Sequence, residues 1–365
     1  MGRGKNLLFK QLLELLPEGW ESKAKELGAF GRAREIKTPE ELLRLILLYI
    51  TEGKSLARTS ALISLSEVSA ISKVAIFKRL QKCGEWLKWL CQHICRKAGL
   101  LVEKPEWLGD KNILLFDGSH EGKNTDQGQY EYFMLHYCLE LFTLSVREFL
   151  LTDSKTGEKL KNFTNLGKDD IVMADRIYTT LTGLAYLKER ECGYVLRLQT
   201  AGFNLYDENK EKIDILKVLS GLKEGETADI TVYCLINGQY EPIRICAMRK
   251  YKDDEETGLK RIEKSNQRKR GGKAASPLQE GYNKYIILIT SLGQEASCTD
   301  VLNLYRMRWQ IELAFKRLKS IFRYNEMPAR KPENIKTWFY STLLLAALCE
   351  TMVNTGRFSP SGESG

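Results

Sequence analysis

Residues 112–121, NILLFDGSHE, and 170–180, DIVMADRIYTT, decide how this chain is read. Each opens with a short unbroken apolar run, Ile113 to Phe116 and Ile171 to Ala174, with the length and composition of a strand buried on both faces. Each run stops at an aspartate, Asp117 or Asp175. A carboxylate at the end of a buried strand stands where a sheet opens onto a cleft. Taken singly, Asp117 before Gly118 is also an ordinary turn pair, and Asp175 ahead of a helix predicted near Thr179 is also an ordinary cap. A third acid makes the coincidence harder to sustain. In residues 302–320, LNLYRMRWQIELAFKRLKS, the side chains of Tyr305, Arg308, Glu312 and Lys319 follow one another at three, four and seven residues. At about 100° per residue they share a helix stripe roughly 60° wide. Leu304, Met307, Ile311, Leu318 and Phe322 form an apolar stripe beside it, so the helix packs on a core with its polar residues along the margin. By itself this run also reads as a solvated helix face with an Arg/Glu pair at i, i+4. The three acids lie 58 and then 137 residues apart, so only a folded sheet brings them together.

Composition is compatible with a polyanionic partner. The chain has 365 residues, enough for two or three domains, and a formal net charge of +9. Its basic residues cluster in residues 54–96, 259–273 and 305–331. Charge runs are commonly solvated faces, but three of them beside an acidic triad fit a nucleic-acid track. Nine cysteines, scattered and without a CxxC pair, argue against a disulfide framework and for a reducing compartment. Cys83, Cys91 and Cys95 with His93 lack the paired spacing of a zinc site and read as helix-core packing. No secretory signal is evident at MGRGKNLLFK. The apolar run WFYSTLLLAALC, 338–349, is too short to span a bilayer and reads as a buried helix.

Residues 1 to about 103 are helix-rich, with a helix predicted after the N-cap Thr38. SLARTSALISL, 55–65, and SKVAIFKRLQKCGEWLKWL, 72–90, suggest a helix-turn-helix whose recognition helix covers about 70–83 and displays Lys78 and Arg79. An ordinary helical hairpin has the same pattern. From about 104 the periodicity changes to strands, five of them by residue 199. Residues 201–284 add the alternating strands ADITVYCLI and PIRICAMRK, then the basic, Gly-containing segment GLKRIEKSNQRKRGGKAA, read as a mobile loop. KYIILITSL resumes as a strand, His136 reads as a core residue, and GRFSPSGESG as a disordered tail.

The spacing Y-x2-R-x3-E-x6-K, following two strand-ending aspartates, resembles the signature of the insertion-sequence DDE transposases, in particular the cut-and-paste group that carries the YREK motif. The resemblance covers most of residues 104–350. It implies an α/β fold: a ribonuclease-H-like mixed sheet with flanking helices, a β-rich insertion and an N-terminal all-α DNA-binding domain. The boundaries expected are 1–103 for the DNA-binding domain, 104–200 and 285–355 for the two parts of the catalytic domain, 201–284 for the insertion, and 356–365 for the tail. It further implies that Asp117, Asp175 and Glu312 are catalytic metal ligands for two Mg²⁺ ions, with Mn²⁺ able to substitute. Tyr305, Arg308 and Lys319 would contact DNA phosphates, and Trp309, by its place on the flank of the same helix, is either a piece of the domain interface or a wedge over the DNA at the cut. The implied partners are double-stranded DNA, as element ends and target, and a second copy in a synaptic dimer, with no membrane and a bacterial cytoplasmic, nucleoid-associated location. Ile177 departs from the glycine often found two residues after the second aspartate, which bears on the local turn rather than on metal binding. A nuclease of the same fold without strand transfer and a domesticated DNA-binding regulator are the alternatives.

Overall fold

The structure is a computed structural model that describes residues 9–52, 55–66, 69–97, 103–124, 130–144, 146–153, 155–199, 201–269, 274–308 and 332–354. Trp309, Glu312, Lys319 and the 356–365 tail lie outside the described residues.

Strands β1 (Asn112–Asn124), β2 (Tyr130–Glu140), β3 (Val146–Asp153), β4 (Asp170–Ala174) and β5 (Gly193–Arg197) form one half of a mixed sheet. β1, β4 and β5 run parallel, while β2 and β3 are antiparallel neighbours on the β1 side. Sequence periodicity sees β1 as a four-residue strand that ends at Asp117. The strand instead continues to Asn124, because β2 supplies a partner for every residue from Leu114↔Glu140 to Asn124↔Tyr130. On its other side β1 pairs with β4 only as far as Leu115↔Met173. Asp117 therefore stands where the parallel pairing stops, although its strand does not.

The segment read as an insertion is part of the same sheet. β6 (Leu205–Tyr206), β7 (Lys212–Ile213), β8 (Thr227–Ile236) and β9 (Gln239–Arg249) join through β10 (Tyr285–Thr290), giving the order β3-β2-β1-β4-β5-β10-β9-β8-β6-β7.

The helices are α1 (9–13), α2 (Trp20–Glu26), α3 (Pro39–Glu52), α4 (Leu56–Leu65), α5 (Lys73–Leu80), α6 (Gly84–Lys97), α7 (Leu181–Glu189), α8 (Ile215–Val218), α9 (Lys252–Lys269), α10 (Pro277–Asn283), α11 (298–308) and α12 (Pro332–Asn354). α9 corrects the mobile-loop reading of the basic segment as far as Lys269, and residues 270–273 lie outside the described residues. Its sequence is made of good helix formers, and Asp253, Asp254 and Glu255 in the first turn complement the helix dipole. Gly258 lets α9 approach α10, since a Cβ there would collide with Asn283 Oδ1, and Asn283 Nδ2 donates to Glu255 O at 2.7 Å.

Two cores sandwich the sheet. Alternation along β1 and β4 sends Ile113, Leu115, Ile171 and Met173 into one, with α3, α6, α11 and α12. Leu114, Phe116, Val172 and Ala174 enter the other, with α7. The predicted cap is present, Thr38 Oγ1 accepting from Glu41 N at 3.1 Å. α12, carrying the 338–349 run, buries Trp338, Tyr340 and Leu344 and packs along α6 and α3. Thr337 Oγ1 donates to Leu80 O at 2.6 Å, which ties α12 to α5. Among the described residues no helix is long and apolar enough to cross a membrane.

Candidate active site

Continuing the β1–β4 register by two residues sets Asp117 level with Asp175. Asp175 keeps extended backbone, φ −74° and ψ 173°, so alternation puts both carboxylates on the face that bears Leu115 and Met173. Paired parallel strands lie about 4.8 Å apart, and both carboxylates act on the Tyr178 hydroxyl, so the two acids share the end of the sheet just past the last β1–β4 pair. Asp117 Oδ1 accepts from Gly118 N at 2.9 Å and Oδ2 from the hydroxyl of its cross-strand neighbour Tyr137 at 2.5 Å. Asp175 is exposed, and its carboxylate caps the next turn by accepting from Arg176 N. Each oxygen keeps lone-pair capacity beyond these bonds.

α11 comes down on this same face. Ser297 caps it, with Ser297 Oγ accepting from Asp300 N at 3.1 Å, and Val301, Leu302 and Leu304 are buried. Tyr305 is buried, and burial raises its pKa, with Arg308, Arg197 and Asp175 as its charged neighbours. The Arg308 guanidinium lies 5.1 Å from the Tyr305 ring centre. Of the Y-x2-R-x3-E-x6-K run, Tyr305 thus lies within the field of Asp175 with Arg308 over its ring, and Glu312 follows Arg308 by four residues in the chain. Among the described residues no three His, Cys, Asp or Glu side chains are grouped to hold a metal. The two aspartates offer hard oxygen donors in register, which suits Mg²⁺ or Mn²⁺ and needs a further carboxylate or a substrate phosphate to complete the set.

Sequence reasoning missed several neighbours. Burial and then Arg197 push the Arg176 pKa down to about 10, and burial, then Arg197 and Arg176, push the Lys250 ammonium down to about 8. Lys250 Nζ donates to Asn283 Oδ1 at 3.3 Å, and the buried Nε atoms of Arg176 and Arg197 have no hydrogen-bond partner among the described residues. Arg176, Arg197 and Lys250 thus act on one another, with Asp175 opposing at Arg176 and Asp254 and Glu255 at Lys250, and together they offer positive charge complementary to phosphate. Arg197 carries the signal that marked the aspartates, a charged residue closing a buried strand. Behind the site, on the opposite face, the Glu158 carboxylate rests on Gly118, where a Cβ would collide with it. The buried Tyr178 hydroxyl has no hydrogen-bond partner among the described residues, and its pKa is raised by burial and then by Glu158, Asp117 and Asp175.

Other expected residues lie elsewhere. Lys78 is exposed on α5, whereas Arg79 turns inward, Nη2 donating to Arg32 O at 3.2 Å and the guanidinium stacking 5.8 Å from the Phe30 ring centre. Ser55 and Ser72 cap α4 and α5. His136 is fully buried, with Nε2 2.9 Å from Thr152 Oγ1. Cys83, Cys91 and Cys95 are buried, and His93 Nδ1 lies 2.9 Å from Trp89 O of its own helix.

The Transposase DDE domain family matches residues 107–348, a span that includes both aspartates and α11. The chain is a DDE transposase. It is similar to the InsL protein of insertion sequence element IS186A from Escherichia coli strain K12, at 30% identity over 96% of this chain and 94% of that protein. The transposase for insertion sequence element IS421 of Escherichia coli is 30% identical over the same shares. The transposase for IS231F of Bacillus thuringiensis subsp. israelensis is 26% identical over 50% of this chain and 41% of its own length. The mixed α/β architecture of this transposase is consistent with the ribonuclease-H-like domain of its family, whose enzymes act on DNA and depend on divalent metal.

Proposed function

We propose that this transposase cuts and joins DNA at Asp117, Asp175 and Glu312, placing it in the YREK-bearing group. The observation that carries the reading is Asp117 and Asp175, two residues past the last β1–β4 pair, with Tyr305 in the field of Asp175 and Arg308 over the Tyr305 ring. Two Mg²⁺ ions, or Mn²⁺, held by the three carboxylates would supply the activated attacking oxygen and stabilise the leaving one in an in-line displacement. The chain's own groups do the rest. Arg176, Arg197 and Lys250 hold the phosphodiester backbone of the strand being cut, with Arg308, Lys319 and Tyr305 on the helix side and Trp309 as the wedge. The Tyr137 hydroxyl and Gly118 amide keep Asp117 turned toward the cleft.

The same reading makes residues 1–103 the end-binding domain, with exposed Lys78 on α5 facing DNA and Arg79 setting the pose of that helix. Two copies pair at the nucleoid to hold both element ends. Incubating a pre-cut terminal repeat with supercoiled plasmid and Mg²⁺ tests the reading. Joined product is expected, whereas cutting without joining would favour the nuclease alternative and binding alone the regulator.

A pH dependence follows from Lys250. Its folded pKa of about 8 lies below the ordinary lysine value of 10.5, so the ammonium that meets phosphate is present below about 8 and lost above it in the free protein. Phosphate binding pulls the pKa back up, so affinity for the cut end should fall between about pH 8 and 10. The expected loss is roughly tenfold, the size of one charge-assisted contact. Lys250→Arg, charged throughout, should flatten that fall in fluorescence-anisotropy titrations at fixed salt. Identical profiles for the two proteins would remove Lys250 from the DNA contact.

A further inference from the structure

The turn that follows Asp175 presents a side chain that neither the metal ligands nor the phosphate contacts use. Arg176–Tyr178 is a single 3₁₀ turn, whose side chains leave its axis about 120° apart. Arg176 turns toward β5, since the charge that acts on it most is that of Arg197, the last residue of β5. Tyr178 turns toward β1 on the other side of β4 and is buried in the core that holds Phe116, with the two ring centres 6.3 Å apart. Those two directions leave the third to Ile177, which is 51% exposed. Between Ile171 and Thr180 only Asp175 and Ile177 are exposed. An acid and a branched apolar side chain therefore share the open end of β4.

The turn is held along its whole length. The Asp175 carboxylate accepts from Arg176 N, Tyr178 N donates to Asp175 O at 3.1 Å, and Thr179 N donates to Arg176 O at 3.1 Å. Thr179 Oγ1 is bonded to Arg197 O, and Thr180 Oγ1 caps α7 by accepting from Gly183 N at 3.0 Å. Ile177 is not among the residues with positive φ, so the backbone here does not require glycine and carries a β-branched residue without strain. Isoleucine is also stiff at χ1. Ile177 is thus a rigid apolar knob on a fixed turn, and little side-chain freedom is lost when it makes a contact.

An apolar knob has nothing to offer a phosphate, and Arg176, Arg197 and Lys250 already supply the charge that a phosphate needs. The surface of a nucleotide that suits it is the base, through its apolar face or a thymine methyl group. A phosphate held between Asp175-bound metal and Arg176 brings its own nucleotide to the residue that follows them in the chain. We infer that Ile177 packs on the base of the nucleotide at the cut and is a specificity-determining contact of this transposase. This rests on the reading of Asp175 as the mark of the cut.

Element ends that carry a single abasic site, placed in turn at each of the three nucleotides on either side of the cut, test the contact with the full-length protein and Mg²⁺. An abasic site keeps sugar and phosphate and removes only the base. In the wild-type protein one such position should lower nicking about five- to tenfold, the worth of burying the exposed part of one isoleucine. Ile177→Ala should nick the intact end slower by about the same factor, and the abasic site at that position should then cost less than about twofold more, because its partner is gone. A loss of structural support would instead slow every end alike. Equal abasic profiles for the two proteins, or wild-type nicking of the intact end by Ile177→Ala, overturn the inference. If Ile177→Ala does not fold, Ile177→Thr keeps the branched shape, shortens the apolar arm and should show the same loss of abasic sensitivity. A wild-type profile there overturns the inference as well. Should Asp175→Asn nick like wild type, the reading of Asp175 fails on its own account, whereas Asp175-dependent nicking with equal abasic profiles removes Ile177 alone.

Discussion

Asp117→Asn, Asp175→Asn and Glu312→Gln are each expected to lower element-end cleavage at least about a thousandfold while leaving end binding within about twofold. Each change keeps the side-chain volume and removes one anionic oxygen ligand. Asn and Gln still offer a carbonyl oxygen, but Mg²⁺ loses the charge that makes partial dehydration favourable. At Asp117 the fold should tolerate the change, since the substituted side chain still accepts from Tyr137 or Gly118 through its remaining oxygen. At Asp175 the capping bond from Arg176 N is equally available to an asparagine oxygen. Nicking of a labelled terminal repeat, with a gel shift on the same preparations, gives both numbers. Cleavage within tenfold of wild type by any one variant removes that residue from the site.

Arg197→Ala carries the next largest effect. The guanidinium stands among Arg176, Lys250 and Tyr305, and its position is fixed by the strand end rather than by an ion pair. Thr179 Oγ1 donates to the backbone carbonyl of Arg197 at 2.8 Å, so truncating the side chain leaves the strand-to-turn connection in place. Removing one buried partner of a phosphate costs on the order of 2–5 kcal/mol when the contact is made at the reacting strand. First-strand nicking should therefore fall about a hundredfold, with overall end affinity down less than about fivefold because it is spread over many phosphates. The salt dependence of binding should flatten by about one unit of log–log slope. Arg197→Lys should lie between, keeping the charge and losing the fork. Nicking within about threefold of wild type in Arg197→Ala would make this cation a packing residue.

Part of the framework of the candidate site was legible along the chain. Apolar runs ending in Asp117 and Asp175 became parallel neighbours, and residues 298–308, with Tyr305 buried, became a helix on the same face. His136 and the 338–349 run were readable as core for the same reason: a buried face repeats along one element, with a period set by its own geometry. The misreadings share a cause too. The basic segment read as a loop is α9 as far as Lys269, because charge and three glycines suggested solvent while helix propensity and the α10 contact decide its form. Arg79 stands on the helix expected of it, and its contacts with Phe30 and Arg32, far back in the chain, were not readable along the sequence.

What the sequence determined by itself is the main buried strands and core helices and the acid that closes each of two apolar runs, since periodicity and run-end chemistry are local properties of the chain. Tertiary structure alone decided that β1 outruns β4, that the strands of residues 201–284 continue the sheet, and that Arg176, Arg197 and Lys250 act on one another's charge. It alone gave Arg244, on β9, its bonds to the carbonyls of Leu292, Gly293 and Ala296 some fifty residues downstream. Strand order and the proximity of charges are fixed by hydrogen bonds between residues far apart in the chain, and no local pattern encodes which distant partner a strand edge or a guanidinium will meet.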